Sequence, residues 1–177
     1  MVIKRILKNS LVEELADHPS LQILELGIGD GELLAELYDA LTQSQVVAMD
    51  MNRSLLSHCQ FHLPGDRITF VPQDLSLPWS AGYEARFDAV YFLQSIHDFG
   101  GREALILTYS EAARVLKPGG ILLNADFIGP MSHDDPAAQR RFPADVHIEI
   151  MNTCGFESAD LLQQEGLLGC MMGILPI

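Results

Sequence analysis

Short, nearly continuous apolar runs alternate along the chain with segments in which leucines and other apolar residues recur every three or four positions. Leu21 to Leu26, Gln45 to Asp50, Arg67 to Val71, Phe87 to Leu93 and Ile121 to Phe127 carry the first pattern, that of strands buried on both faces of a parallel sheet. Gly31 to Leu41, Asn52 to Phe61 and Gly101 to Leu116 carry the second, that of helices with one buried face. Ahead of them, Val2 to Ala16 sets Ile3, Ile6, Leu7, Leu11 and Leu15 at helical spacing and ends near Asp17-His18-Pro19, where proline stops a helix. Strand and helix in alternation predict an α/β fold with a doubly wound sheet. After Ala144 to Cys154, a helix stopped by Gly155, two apolar runs, Phe156 to Leu162 and Leu167 to Ile174, flank Gln163-Gln164-Glu165-Gly166, a hairpin signal.

The first strand runs straight into Gly27-Ile28-Gly29-Asp30-Gly31. Glycines in that density let the backbone take conformations a Cβ forbids, and let a ligand approach the main chain closely. Dinucleotide folds place G-x-G-x-x-G at this turn, with pyrophosphate on the helix N-terminus. Here the spacing is G-x-G-x-G, Glu32 stands where the third fingerprint glycine belongs, and Glu25 and Asp30 load the turn with acid. Such a turn repels pyrophosphate and suits a cation.

With that motif, Glu25 to Gly31, the sequence resembles the class I S-adenosylmethionine-dependent methyltransferases. The aromatic-rich fourth strand, the pair His97-Asp98, the helix after it and the turn Leu116-Lys117-Pro118-Gly119-Gly120 are a second resemblance to the same family. It spans about Leu21 to the C-terminus and implies a Rossmann-like, seven-stranded sheet, mostly parallel with an antiparallel C-terminal hairpin. It divides the chain into an N-terminal helix over 1–20 and a methyltransferase domain over 21–177, one domain overall. Within it, Glu25, Gly27, Gly29 and Gly31 are expected at the cofactor. The cofactor itself would be S-adenosyl-L-methionine, leaving as S-adenosyl-L-homocysteine.

Strand ends supply the remaining candidates. Asp50 closes the second strand, where a carboxylate accepts from both ribose hydroxyls; its alternative use is to cap the next helix, which Asn52 could do unaided. Met51 would lie against the adenine. By the resemblance Asp74 accepts from the adenine amino group and the backbone amide of Leu75 reaches the ring, whereas the plainer reading of Asp74 is an Asx turn opening Ser76 to Arg86. Gln94, the first residue past the fourth strand, joins the cofactor-facing set. His97 is the candidate base, since imidazole titrates near neutrality and Asp98 beside it could orient it; its plainer role is to cap the next helix or line the pocket. His133, His147, Asp134 and Asp135 are lesser candidates. Asn124 and Asp126 lie near a strand end, but Gln94 offers no matching acid, so no metal is expected. Ile128 to Pro143, polar and turn-rich, reads as an active-site lid rather than packed structure.

Bulk properties narrow the substrate. The formal net charge is -13 over 177 residues, with basic residues scattered, and nucleic-acid binding needs a basic footprint. A small-molecule acceptor is expected, with no nucleic acid and no membrane. Cys59, Cys154 and Cys170 form no C-x-x-C pair and read as reduced thiols. With no signal-like apolar core and no apolar run of membrane-spanning length, a cytoplasmic location is expected. Two other function classes fit less well: a non-catalytic S-adenosylmethionine-binding module and an NAD(P)-dependent oxidoreductase, the latter opposed by Glu32 and the C-terminal hairpin.

Overall fold

The computed structural model describes residues 2–15, 20–63 and 65–177. In chain order come α1 (Val2–Leu15), β1 (Gln22–Leu26), α2 (Glu32–Ala40), β2 (Gln45–Asp50), α3 (Arg53–His62), β3 (Ile68–Pro72), β4 (Phe87–Leu93), α4 (Arg102–Val115), β5 (Leu116–Phe127), α5 (Ala144–Thr153), β6 (Glu157–Glu165) and β7 (Leu168–Ile174). Single 3₁₀ turns lie at Ile96–Asp98 and Ala138–Arg140.

Among the described residues the seven strands join one sheet in the order β3-β2-β1-β4-β5-β7-β6. The first five run parallel, and β7 lies antiparallel between β5 and β6. The chain winds outward from β1 to β3, then returns to start again at β4. That reversal puts a crevice at the C-terminal ends of β1 and β4, where open α/β sheets bind ligands.

Alternation along the strands feeds two cores. Ile23, Ala48 and Tyr91 face one side with the buried leucines of α1 and α2 and Leu56 and Cys59 of α3. Leu24, Leu26, Val90 and Phe92 face the other with α4, α5 and Trp79. The first helix covers the sheet: Ile3, Leu7, Leu11 and Leu15 are all buried. Its expected end near Asp17-His18-Pro19 lies outside the described residues.

Three expectations are corrected. The Lys117 to Gly120 turn does not precede β5 but is absorbed into it, as a bulge between the pairs Phe87–Leu116 and Ala89–Ile121. Gly120 permits this, because a Cβ there would meet the Lys117 carbonyl oxygen at 2.8 Å. The hairpin turn is only Gly166-Leu167, since Gln163, Gln164 and Glu165 pair with Cys170, Gly169 and Leu168. β6 is an exposed edge strand, so its polar residues look like a loop to any reading based on apolar runs. Third, the 128–143 segment is tied down rather than free: buried Asp135 accepts from the Met131 and Ala137 amides and from Arg141 Nη1 at 2.6 Å. The Arg141 guanidinium lies 4.2 Å over the Phe127 ring. The segment's two buried charged residues, Asp135 and Arg141, bond to each other, while Ser132, His133, Asp134 and Gln139 stay exposed.

Candidate active site

The glycine turn takes the shape its spacing demands. Gly27, Gly29 and Gly31 have φ of 71°, 57° and 77°, a left-handed region that costs an L-residue about 1–2 kcal/mol. Gly27 also needs the space: a Cβ there would lie 2.6 Å from Ser95 Cβ. Gly31 is tight against Cys59, while the surroundings of Gly29 are open. Asp30 Oδ1 accepts from the Glu32 amide at 3.1 Å, and Lys4 holds Glu32 from above at 2.8 Å. The first amide of α2 is therefore already met by the Asp30 carboxylate, and the second acid of that turn, Glu32, is paired with Lys4.

A cleft of about 260 Å³ opens beside this turn, lined by Gly27, Asp50, Met51, Asp74, Leu75, Ser76, Asp98 and Phe99. The structure thus brings together five of the expected cofactor residues. Capping of α3 is done by Asn52, whose side chain accepts from Ser54 and Leu55. Asp50 is consequently not needed as a cap. Its Oδ1 accepts from the Asn52 amide at 2.8 Å, and its Oδ2 is only grazed by the Gly29 amide at 3.5 Å. Asp74 does form the Asx turn, accepting from the Ser76 amide and hydroxyl. Those bonds lower its pKa, so it presents a charged carboxylate to the cleft. Leu75 is buried and Met51 exposed. Glu25, Gly29, Gly31 and Gln94 do not line the cleft; Glu25 is buried beneath it, 3% exposed. Gln94 sits at the crest of the sheet with φ 50°, unusual for a residue with a side chain and frequent at functional turns.

His97 lies buried in the 3₁₀ turn directly after β4. Asp98 does not orient it, being 3.7 Å from Nε2; adjacent side chains on a tight turn diverge. The orienting group is Asp126, fully buried near the end of β5, whose Oδ1 accepts from His97 Nδ1 at 2.7 Å. Its carboxylate also accepts from the amides of Ile96, His97 and Phe127, which fixes it completely. Because a carboxylate only accepts, Nδ1 carries the proton and neutral His97 keeps its lone pair on Nε2. Burial pushes the His97 pKa down, but the bond to and charge of Asp126, helped by Asp98 and opposed by Arg141, leave it above the usual value.

His147 is a different case. It is buried against the Tyr109 hydroxyl, 2.7 Å from Nδ1, and Asn124 donates to the same hydroxyl at 2.9 Å. Burial drops its pKa to about 4, so this trio is a neutral element of the core. His133 and Asp134 are exposed and paired with each other.

Sequence reasoning missed Asp126 as the partner of His97, Ser95 as the group packed on Gly27, and Asp98 and Phe99 as cleft walls. The first had a signal: β5 adjoins β4 in this strand order, so an acid at its tip meets the turn after β4. Ser95 had none, because its contact depends on how two loops cross.

The matches to known proteins agree with this geometry. The chain matches the Methyltransferase domain family over residues 23–120, more than half its length. It is 33% identical over 104 residues to YqeM of Bacillus subtilis (strain 168), named as a methyltransferase, covering 58% of this chain and 40% of that protein. It is 26% identical to the sterol 24-C-methyltransferase ERG6B of Gibberella zeae over 78% of this chain and 36% of that one. The chain therefore spans well under half the length of either relative. Among solved structures, the CurJ carbon methyltransferase superposes with TM-score 0.84 at 14% identity over 98% of this chain and 54% of its own. A Bacillus halodurans C-125 protein named as a methyltransferase gives 0.71 at 17% identity, over 96% of this chain and 99% of its own. On the glycine turn, the sheet order and the family match, the chain belongs to the class I S-adenosylmethionine-dependent methyltransferases, with their Rossmann-like fold.

Proposed function

We propose that the protein transfers the methyl group of S-adenosylmethionine to a small-molecule acceptor. The observation that carries this reading is the cleft itself, in which Asp50 and Asp74 face one space beside Gly27 and Asp50 keeps Oδ2 almost uncommitted. The residues fit an adenosyl cation. Asp50 would accept from the ribose hydroxyls, Asp74 from the adenine amine, and the Leu75 amide would reach the ring, with Met51 against its face. Gly27 brings the main chain to the cleft wall, where the amino-acid end would lie. A dinucleotide fits worse, because its pyrophosphate would meet Asp30 and Glu32 at the start of α2.

Bound there, S-adenosylmethionine would supply a methyl group on a sulfonium, activated without further chemistry from the protein. What the chain contributes is placement and, for an acceptor with a proton to lose, a base. Holding an acceptor near attack distance removes much of the entropic barrier. His97 Nε2 takes the acceptor proton, and Asp126 holds the ring in the tautomer that permits this and stabilises the imidazolium that results. The turn carrying His97 is bonded to β5 through Asp126 and packed on Gly27 through Ser95. Base and cofactor loop are thereby held as one unit. The net charge of -13 supports a neutral or cationic small molecule over a nucleic acid.

Incubating the protein with methyl-labelled S-adenosylmethionine and a metabolite extract tests the reading. Label should appear in a small molecule, and His97→Ala should lower its rate of appearance by about 10²–10⁴-fold where a proton is removed. Label in nucleic acid alone would contradict the acceptor class. No transfer, with intact cofactor binding, would favour a non-catalytic module.

A further inference from the structure

Two buried polar groups near the glycine turn each carry an atom with no hydrogen-bond partner among the described residues. Glu25 is 3% exposed and its Oε2 has no partner; Tyr91 is fully buried and its hydroxyl has none. They are register partners on β1 and β4, and Ala48 flanks Glu25 from β2. The other titratable groups around Glu25 are Asp50 at the tip of β2, Asp30 in the turn and Cys59 of α3. None of these is basic.

An ionised carboxylate in such a place lacks both water and a counter-charge. Desolvation is the main reason the Glu25 pKa is pushed up to about 8; the nearby Tyr91 hydroxyl pulls it down without reaching hydrogen-bond geometry, and Asp50 and Asp30 add to the rise. A neutral acid here does nothing that a glutamine of equal size would not do. What distinguishes glutamate is that it can change charge when something positive comes near.

Building on the proposed cofactor, we propose that Glu25 is the charge sensor of this site: protonated while the cleft is empty, it ionises when a cationic adenosyl ligand binds and so favours the sulfonium over the neutral thioether product. In that step the carboxyl O–H bond breaks and the proton passes to solvent buffer; nothing is oxidised or reduced. The bound cation replaces the counter-charge that the β1–β4 region lacks. After methyl transfer the ligand is a neutral sulfide, Glu25 regains its proton, and the product loses the attraction that held the substrate. The sign follows from linkage: ligand binding that releases a proton strengthens as pH rises, up to the pKa of the free protein.

Calorimetric titration of the full chain in two buffers of different ionisation enthalpy counts the protons. S-adenosylmethionine should release close to one proton per site near pH 7, and S-adenosylhomocysteine clearly fewer. Affinity for the first should climb between about pH 6 and about pH 8, by at most about tenfold per pH unit, and level off above. Glu25→Gln should abolish the release and the slope and shrink the preference for the sulfonium by about tenfold or more, the scale of one altered charge interaction. Tyr91→Phe, which removes the group that favours the carboxylate, should move the levelling-off to higher pH. Infrared difference spectra should show a protonated carboxyl band lost on adding S-adenosylmethionine, and no such loss in Glu25→Gln. Equal proton release with both ligands, or release that survives Glu25→Gln, overturns the proposal while leaving the cofactor assignment standing. Failure to bind S-adenosylmethionine at all overturns both.

Discussion

At the scale of single residues, the site depends on which carboxylates are spent and which are free. Asp126 is entirely spent, with both oxygens accepting from the turn that carries His97, so any part it takes in the proposed chemistry runs through the imidazole. Asp126→Asn should lower kcat, by less than His97→Ala does, and leave cofactor affinity unchanged. It should also move the rise of kcat with pH to lower pH, since the carboxylate is what holds the His97 pKa up. A pH–rate profile of kcat checks this; an unmoved profile would mean the aspartate only holds the fold. The residues that chain position could place in the cleft were Asp50, at the tip of β2, and Asp74, just past the end of β3, because a strand end fixes where a nearby side chain lies. His97 was legible as a candidate base but its partner was not, since sequence adjacency to Asp98 competes with a spatial neighbour 29 positions away.

At the scale of elements, the three glycines look alike in sequence and differ in their surroundings. All have left-handed backbone, but only Gly27 and Gly31 have side chains pressed against them. Gly29→Ala should cost about 1–2 kcal/mol of stability from the backbone alone. Gly27→Ala should cost more and also disturb Ser95 and the His97 turn behind it. Denaturant titration of the two variants, with m unchanged, distinguishes them; equal losses would mean that the Gly27–Ser95 contact relaxes freely. The buried parallel strands and amphipathic helices were legible because burial writes itself as periodicity. β6 reads from sequence as ending at Leu162 when it runs on to Glu165, and the 128–143 segment reads as free, for one physical reason. Polar residues satisfied by pairing or by an internal Asp135–Arg141 bridge are indistinguishable in sequence from those satisfied by water.

At the scale of the whole molecule, two buried groups contribute to the pH dependence of stability with opposite signs, alongside carboxylates such as Glu36, Asp74 and Asp135 whose lowered pKa adds to the loss on the acid side. His147, with a folded pKa of about 4, is neutral in the fold but charged in the unfolded chain below about pH 6.5. Stability therefore falls as pH drops from about 6.5 to about 4, by an amount on the order of 3 kcal/mol. Glu25, with a folded pKa of about 8, stays protonated where the unfolded chain ionises from about pH 4.5. Its contribution is complete below that pH and is lost as pH rises toward about 8, on the order of 5 kcal/mol. Denaturation of the empty protein across this range should show both slopes, His147→Gln flattening the acid side and Glu25→Gln the neutral-to-alkaline side. Slopes unchanged in both variants would place the titration elsewhere. Among the described residues no helix is long and apolar enough to cross a membrane, and one cleft at the crest of the sheet gathers the acids that the chain supplies from β2, the loop after β3 and the turn after β4. The most direct test of that arrangement is calorimetric titration of the wild type and Asp50→Ala with S-adenosylmethionine and with NAD. One saturable site for S-adenosylmethionine, weakened in the variant by about 1–3 kcal/mol, with no heat from NAD, is the expected result. Binding of NAD alone, or affinity for S-adenosylmethionine that ignores Asp50, would contradict it.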